Sequence, residues 1–167
     1  HGVTDLEFGD DFQFWPSAEE TQSAQYLMWF YKREVDRYGV DNVALLTPFR
    51  KKSKTGVYSL NAELHDTINP ASPEKDEIET GQRVLRVGDK VMQMKNRDFA
   101  SNGDIGYICT SKRDSDGILV EVNFGDDRVV AYEDAESLRQ LELAYAATIH
   151  KSQGSEYDAV WINIQNM

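Results

Sequence analysis

The side chains with the most potential for chemistry lie in residues 147–158, Ala-Thr-Ile-His-Lys-Ser-Gln-Gly-Ser-Glu-Tyr-Asp. This segment concentrates hydroxyls, an imidazole, an ammonium, an amide and a carboxylate directly after an apolar stretch with strand character. Open α/β sheets bind ligands where their strands end, so the position predicts a binding loop. Hydroxyls, cations and the N–H groups beside Gly154 suit phosphate oxygens, while Glu156 suits a ribose hydroxyl. On spacing alone, a solvated loop explains the same residues equally well.

A second candidate is the basic segment 47–54, Thr-Pro-Phe-Arg-Lys-Lys-Ser-Lys, which contains no acidic residue. Such a segment after a buried strand could bind phosphate, although composition alone favours a solvated basic loop. A third region is basic and contains a single acidic residue, Asp89, together with the apolar residues Val91, Met92 and Met94. Its five cations are Arg83, Arg86, Lys90, Lys95 and Arg97. A strand face of this kind could follow a nucleic-acid backbone, but any half-exposed strand also alternates.

Other reactive side chains have less support. Cys109 lies in a strand pattern and is predicted to be a small buried apolar residue. His1, His65 and His150 are too far apart in the sequence for metal-ligand spacing, and His65 is predicted to lie on a helix surface. No Gly-x-Ser-x-Gly elbow and no Gly-x-x-x-x-Gly-Lys-Ser/Thr phosphate loop occurs. We therefore expect neither a metal site nor a complete nucleotide site in this chain.

Composition restricts the class of protein. The 167 residues are 40% hydrophobic and 28% charged, which is typical of a folded domain. Their 18 basic and 29 acidic residues give a net charge of −11, so any contact with nucleic acid must be local. No apolar run has the length of a membrane span, and a single cysteine favours the cytoplasm. Both ends resemble cut ends, and we expect a piece of a longer protein.

Hydrophobic patterns predict an α/β portion. Residues 11–15 alternate around Phe12 and Phe14 and predict a short strand, which Pro16 ends. Ser17 and Glu20 form a capping-box pattern before a helix that reaches Gly39. Residues 43–46 are continuously apolar, which is typical of a strand buried in a parallel sheet. A helix with apolar residues every fourth position follows over residues 60–68, and apolar strands are predicted at 141–147 and 159–164.

A different pattern lies between these elements. Residues 70–80 are polar with two prolines and predict a linker or surface excursion. Four short strands follow at 91–94, 104–110, 118–123 and 128–132, separated by turn pairs such as Asn102-Gly103, Asp116-Gly117 and Gly125-Asp126. We therefore predict the α/β class: a partial parallel sheet flanked by helices, with an inserted small antiparallel barrel. Residues 1–80 and 139–167 would form the first part, and residues 81–138 the insertion.

Five segments in fixed order resemble the C-terminal part of RecD-like superfamily 1 DNA helicases. They are Leu-Thr-Pro-Phe-Arg at 46–50, Leu-Asn through Ile-Asn-Pro at 60–70, Gly-Asp-Lys-Val-Met-Gln at 88–93, Asn-Gly-Asp-Ile-Gly at 102–106 and Tyr-Ala-Ala-Thr-Ile-His-Lys-Ser-Gln-Gly-Ser-Glu at 145–156. The resemblance covers about residues 40–164. It implies that the parallel sheet is the second RecA-like lobe and that the insertion is an SH3-like barrel.

The resemblance also implies roles for individual residues. Residues 148–156 resemble helicase motif V, which places Thr148, His150 and Ser152 on DNA phosphates and Gln153, Gly154 and Glu156 at the nucleotide. Residues 47–50 resemble motif IV, in which Thr47 and Arg50 bind DNA, although Arg50 could instead serve the nucleotide. Relatives carry the barrel over the DNA path, which makes Lys95 and Arg97 further DNA-binding candidates. Phe49 stands where the family usually has Met.

The function implied by the resemblance is that of an ATP-dependent helicase which moves 5′→3′ along single-stranded DNA in repair, recombination or conjugation. ATP and Mg²⁺ would be its cofactors, and the first RecA-like lobe in cis and helicase-nuclease subunits its partners. The Walker A and B motifs and motif VI are missing, so this fragment should not hydrolyse ATP and should hold neither cofactor stably. The net charge favours an alternative, a protein-binding module in which the barrel recognises a partner.

Overall fold

The computed structural model describes residues 12–51, 53–80, 83–115 and 117–164. In the described residues, three helices and ten strands form a mixed α/β fold, which confirms the predicted class. Their bounds are α1 Glu20–Tyr38, β1 Val43–Thr47, α2 Val57–Ile68, β2 Glu77–Thr80, β3 Arg83–Arg86, β4 Lys90–Gln93, β5 Ile105–Asp114, β6 Gly117–Asn123, β7 Val129–Tyr132, α3 Ala135–Leu138, β8 Leu141–Leu143, β9 Ala146–Thr148 and β10 Ala159–Ile162.

A parallel sheet of three strands, in the order β10-β1-β9, lies at the centre of the α/β portion. Every residue of β1 is buried, because strands pair with it on both edges and α1 packs against it. This confirms the strand predicted from the apolar run at residues 43–46. Helix α2 packs against β9, and its Leu60 and Leu64 are fully buried. The parallel sheet is therefore the framework from which the polar segments at 47–50 and 148–156 extend.

The start of α1 differs from its predicted form. Glu19 is the N-cap and makes no side-chain cap, so the capping box predicted for Ser17 and Glu20 is wrong. The Ser17 hydroxyl instead donates to the Glu19 carbonyl at 2.9 Å. The strand predicted at residues 11–15 is also wrong over 12–15, where no strand forms and Phe14 is 66% exposed, while Asp11 lies outside the described residues.

The second large sheet is antiparallel, with five strands in the order β7-β6-β5-β4-β8. Its buried face contains Val91, Ile108, Val120, Val122 and Tyr132. The turn residues Gly103 and Gly125 have φ of 102° and 82°, which agrees with the predicted turns at these positions, while Asp116 lies outside the described residues. No pairing joins β7 to β8 in the described part, so the sheet is open where a barrel was predicted.

Two stretches adopt structures that local pattern did not indicate. Residues 77–80 belong to strand β2, which pairs with β3 and buries Ile78, so the predicted surface excursion is wrong there.

The single strand predicted at 141–147 is divided: β8 pairs antiparallel with β4, and β9 pairs parallel with β1. Buried Asn61 on α2 stabilises this crossing, because its amide nitrogen donates to the Leu143 and Ala146 carbonyls at 2.7 and 3.0 Å. The division of the chain at residues 80 and 139 stays a prediction.

A buried polar cluster centred on Asp89, just before β4, connects the antiparallel sheet to α2. The Asp89 Oδ1 atom accepts from Asn69 Nδ2 at 2.7 Å and from the Tyr145 hydroxyl at 3.0 Å. Its Oδ2 atom accepts from the Arg86 backbone N–H at 2.8 Å and lies 2.8 Å from His65 Nε2. His65 is 5% exposed, so the predicted surface position is wrong. The imidazole faces inward because the buried carboxylate of Asp89, 24 residues away in sequence, lies beside it.

Candidate nucleic-acid interface

The parallel sheet brings together two segments that are a hundred residues apart in sequence. Thr47 ends β1, Thr148 ends β9, and the two residues are register partners in parallel strands. The chain therefore leaves the same edge of the sheet at both places, with segment 47–50 beside segment 148–156. Carboxyl edges of this kind are where open parallel sheets bind ligands, so the two polar segments form one candidate interface.

In the first segment, the structure separates Thr47 from Arg50. Thr47 is fully buried, and its hydroxyl oxygen accepts from the Phe49 N–H at 3.3 Å, so its side chain does not reach the surface. Arg50 has an exposed side chain whose Nη2 atom donates to the Glu142 carboxylate at 2.9 Å and to the Tyr58 hydroxyl at 3.2 Å. Partial burial opposes the charge, but Glu142 raises the pKa of the Arg50 guanidinium above its usual range. Arg50 is thus a fixed, permanently charged cation.

The second segment begins with a 3₁₀ turn, Ile149–Ser152, directly after β9. His150 is exposed and Thr148 half-buried, while the Ser152 hydroxyl donates to the Ile149 carbonyl at 3.1 Å. Gln153, Gly154 and Glu156 follow on the exposed side. Gly154 has φ of 89° and nothing within 4 Å of a side chain added there, so its backbone is open to a ligand.

Lys95 and Arg97 lie in the connection between β4 and β5. Lys95 is exposed. The guanidinium of Arg97 lies 4.3 Å from the centre of the Tyr132 ring and donates to the Ala131 carbonyl at 3.1 Å. Lys151 donates to the Asn102 side-chain oxygen, and this bond joins the connection to the 3₁₀ turn. The antiparallel sheet therefore contributes to the same candidate interface.

The wider basic stripe predicted over residues 83–97 is wrong for two of its members. Arg86 is 4% exposed and lies between the carboxylates of Asp66 and Glu77, at 3.1 and 2.6 Å. Lys90 is also buried and donates to the Val40 carbonyl at 2.8 Å, and burial lowers the pKa of its ammonium. These cations hold the fold together, because each is enclosed by partners from distant parts of the chain.

A cleft of about 230 Å³ opens between the two sheets at this interface. Its floor is apolar and consists mainly of Val57, Met92, Met94, Leu143, Ala146 and Ala147. Its polar lining is Arg50, Glu142, Thr148, His150 and Lys151. The cleft thus combines an apolar floor with a rim that carries more cations than anions, in a chain whose net charge is −11.

Glu142 and Tyr58 are site residues that the sequence reasoning missed. Glu142 lies between two apolar residues of β8, where alternation alone marks it as a surface position. In the structure it accepts from Arg50 and, at 2.9 Å, from the Tyr58 hydroxyl. Burial and the Glu142 carboxylate raise the pKa of the Tyr58 hydroxyl, which therefore remains a donor. The only sequence signal for Glu142 was its charge, which is opposite to that of Arg50, and no local pattern indicated that the two side chains are in contact.

Cys109 is exposed on β5, so its predicted burial is wrong, and its thiol lies 3.4 Å from the Glu121 carbonyl. Over the residues that the structure describes, no three His, Cys, Asp or Glu side chains form a group that could hold a metal ion. No helix in this part of the chain is long and apolar enough to cross a membrane.

Comparison with known families gives a match that runs from α2 to the residue after β6. Residues 60–124 match the family described as the ATP-dependent RecD-like DNA helicase SH3 domain. The ATP-dependent RecD2 DNA helicase of Deinococcus radiodurans is 35% identical over 125 residues, which cover 73% of this chain and 16% of that protein. The ATP-dependent DNA helicase Pif1 of Bdellovibrio bacteriovorus is 30% identical over 125 residues, which cover 66% of this chain and 27% of that protein. The chain thus spans only a small part of both relatives.

Among solved structures, Bacteroides Pif1 bound to single-stranded DNA is similar over 75% of this chain and 35% of its own, with 20% identity and a TM-score of 0.44. A Pif1 structure with ADP-AlF₃ and single-stranded DNA is similar over 88% of this chain and 40% of its own, with 19% identity and a TM-score of 0.47.

Proposed function

Because the chain is related to the RecD-like superfamily 1 DNA helicases, we propose that it forms part of an ATP-dependent enzyme that translocates on single-stranded DNA. The observation that carries this proposal is the pairing of Thr47 with Thr148, which sets segments 47–50 and 148–156 side by side at one edge of the sheet. Two phosphate-binding candidates on separate segments match the repeating charge of a strand better than a single small ligand does.

The DNA strand would lie along the rim of the cleft. Arg50, His150 and Lys95 are exposed and bring positive charge or donors to phosphate oxygens. Thr148 would add a hydroxyl donor, and Arg97 would act from its stacked position on Tyr132. The Ser152 hydroxyl donates to the Ile149 carbonyl and would contact a phosphate by exchanging that bond. Thr47 is buried, so we propose that it does not contact DNA itself and instead positions Phe49 and Arg50. Each contact is to the backbone, so binding would not depend on sequence.

The exposed residues Gln153, Gly154 and Glu156 fit one side of a nucleotide. They offer an amide, an open backbone and a carboxylate acceptor, the groups that recognise a base edge and ribose hydroxyls. The sequence contains no Gly-x-x-x-x-Gly-Lys-Ser/Thr loop for the phosphates and Mg²⁺, so we propose that these groups come from the rest of the protein. ATP bound there would supply the free energy for translocation, and this chain alone would neither bind it stably nor hydrolyse it.

Further parts of the proposal concern the whole protein. It would move 5′→3′ in the cytoplasm and act in repair, recombination or conjugation, with a first RecA-like lobe in cis. A test in that protein is to replace His150 or Glu156 by Ala. Loss of DNA-stimulated ATP hydrolysis or unwinding is expected for both variants. Undiminished unwinding in both would contradict the assigned sites.

The chain itself permits a direct test of DNA binding. We expect the anisotropy of a labelled oligo(dT) to rise on addition of the chain, and the affinity to fall steeply with salt, with a logarithmic slope of about −0.7 for each phosphate contact. Arg50→Ala should reduce that slope by about one contact. Lys32→Ala on α1 is the matched control, because Lys32 is an exposed cation that pairs with Asp36 outside the cleft. Equal effects of both substitutions would contradict the assignment of Arg50.

The net charge of −11 favours a second candidate, a protein-binding module built on the antiparallel sheet. The same titration distinguishes the two functions. A module of this class would show no salt-dependent affinity for oligo(dT), whereas a strand-binding lobe would.

A further inference from the structure

The cleft between the two sheets has the composition of a site for a ligand with apolar surface. Its floor presents aliphatic and thioether side chains, with Met92 and Met94 from the antiparallel sheet and Ala146 and Ala147 from the parallel one. None of the buried polar atoms that lack a partner in the described residues belongs to its lining. A ligand in the cleft therefore meets apolar surface on its faces and finds polar groups only at its edge.

The size of the cleft restricts the ligand further. Its 230 Å³ lies below the ~300–1,000 Å³ of clefts that enclose drug-sized molecules, so it admits one ring system. Methionine sulfur makes favourable contacts with aromatic rings, and its flexible chain adapts to rings of different size. The two methionines thus suit a planar aromatic group without selecting one particular ring.

The rim indicates what this ring is attached to. Arg50, His150 and Lys151 surround the opening, and the single carboxylate of the lining, Glu142, is already bound by Arg50 and Tyr58. A ring that carries phosphate would therefore have its anionic groups near Arg50, Lys151 and the ring nitrogens of His150 while its face lies on the methionines. Nucleobases have this chemistry.

We propose that the cleft takes one nucleobase of a bound single strand, with the base against Met92 and Met94 and its flanking phosphates at Arg50 and His150. This inference rests on the proposed function and adds a base contact to the backbone contacts described above. It predicts tolerance of all four bases but dependence on the presence of a base. A free nucleotide could offer the same chemistry, and the test separates the two sources.

The experiment uses methionine labelled with ¹³C in the methyl group, in the full 167-residue chain. Met92→Leu and Met94→Leu, which conserve volume, assign the two resonances, and Met28 on α1 is the internal reference. With oligo(dT), we expect shifts of the Met92 and Met94 methyl resonances that exceed any shift at Met28. An oligonucleotide of abasic sugar-phosphate units, compared at equal saturation measured by anisotropy, should leave both methyl resonances near their free positions.

A second variant tests the affinity. Ala147→Leu fills the cleft and should weaken oligo(dT) binding about fivefold, the lower end of what stacking one base contributes, without changing binding of the abasic strand. Ala62→Leu on the exposed side of α2 is the matched control and should change neither.

The outcomes separate this inference from the proposed function. Salt-dependent oligo(dT) binding without shifts at Met92 and Met94 would overturn the base site and leave the helicase proposal intact. Absence of binding to either strand at millimolar concentration would overturn both. Shifts caused by ATP but not by oligo(dT) would assign the cleft to a free nucleotide and overturn the strand-bound base.

Discussion

The carboxylate of Asp89 should be the most sensitive single group for the stability of this chain. It is fully buried and accepts three hydrogen bonds, from Asn69 and Tyr145 at Oδ1 and from the Arg86 N–H at Oδ2, and His65 Nε2 lies 2.8 Å from Oδ2. These groups belong to α2 and its C-cap, to the last residue of β3 and to the residue that precedes β9. Asp89→Ala removes the one acceptor that they share.

The expected cost follows from this geometry. Removing the shared acceptor leaves three buried donors without it, and because each unsatisfied buried donor typically costs about 1–3 kcal/mol, the expected total is about 3–5 kcal/mol. We expect Asp89→Ala to lower the free energy of unfolding by this amount, which is a large part of the ~5–15 kcal/mol of a whole domain. Asp89→Asn keeps the shape but replaces one acceptor oxygen by a donor. The donors at that oxygen then lose their partner, and the expected loss is about 2–4 kcal/mol.

Urea unfolding followed by circular dichroism measures both losses. Asp36→Ala is the matched control, since this aspartate is 61% exposed and pairs only with Lys32, so its removal should cost at most about 0.5 kcal/mol. If Asp89→Ala is no more destabilising than Asp36→Ala, the reasoning from buried donors is refuted. If Asp89→Asn is as stable as the parent chain, neither the negative charge of Asp89 nor its second acceptor oxygen contributes to the stability of this cluster.

Three further predictions concern the site and the antiparallel sheet. Glu142→Gln should release the Arg50 guanidinium from its ion pair and raise oligo(dT) affinity severalfold at low salt, measured by anisotropy; unchanged affinity would show that the pair does not compete with DNA. Gly106→Ala should lower the free energy of unfolding by about 1–3 kcal/mol, because the added Cβ would lie 2.6 Å from the Asn123 carbonyl oxygen, and an unchanged melting temperature would contradict this. Burial raises the pKa of the Tyr132 hydroxyl to about 12, so its contribution to stability is present below pH 10 and is lost as the pH rises from 10 through 12. Tyr132→Phe should remove this part of the alkaline slope in unfolding experiments, and an identical slope would refute it.

Much of the α/β framework follows from local sequence. Strand β1 was predicted because a continuous apolar run between Asn42 and Pro48 suits a strand buried on both faces. Helices α1 and α2 were predicted from apolar residues at helical spacing, and the strands β4 to β7 from short runs between turn residues. These predictions succeeded because a helix or strand buried on one or two faces has apolar residues at a regular spacing in the sequence.

Predictions from local pattern were wrong where a residue distant in sequence determines the environment of a side chain. His65 and Cys109 were assigned to the wrong environments, because a helix or strand pattern does not reveal which faces a neighbouring element covers. The division of residues 141–147 between two sheets depends on Asn61, which is eighty residues away and binds the backbone at the crossing. The Arg50–Glu142 pair is equally remote in sequence.

By itself, the sequence determined that the chain folds as α/β with an antiparallel portion, that its polar segments follow strands, and that any contact with nucleic acid must be local in a chain of charge −11. Only the tertiary structure decided which segments meet. The parallel register of Thr47 and Thr148 joins the two phosphate-binding candidates, and packing of the two sheets forms the cleft between them. The reason is physical: periodicity records which side of an element is buried, whereas a site requires side chains whose closeness depends on strand order and sheet packing.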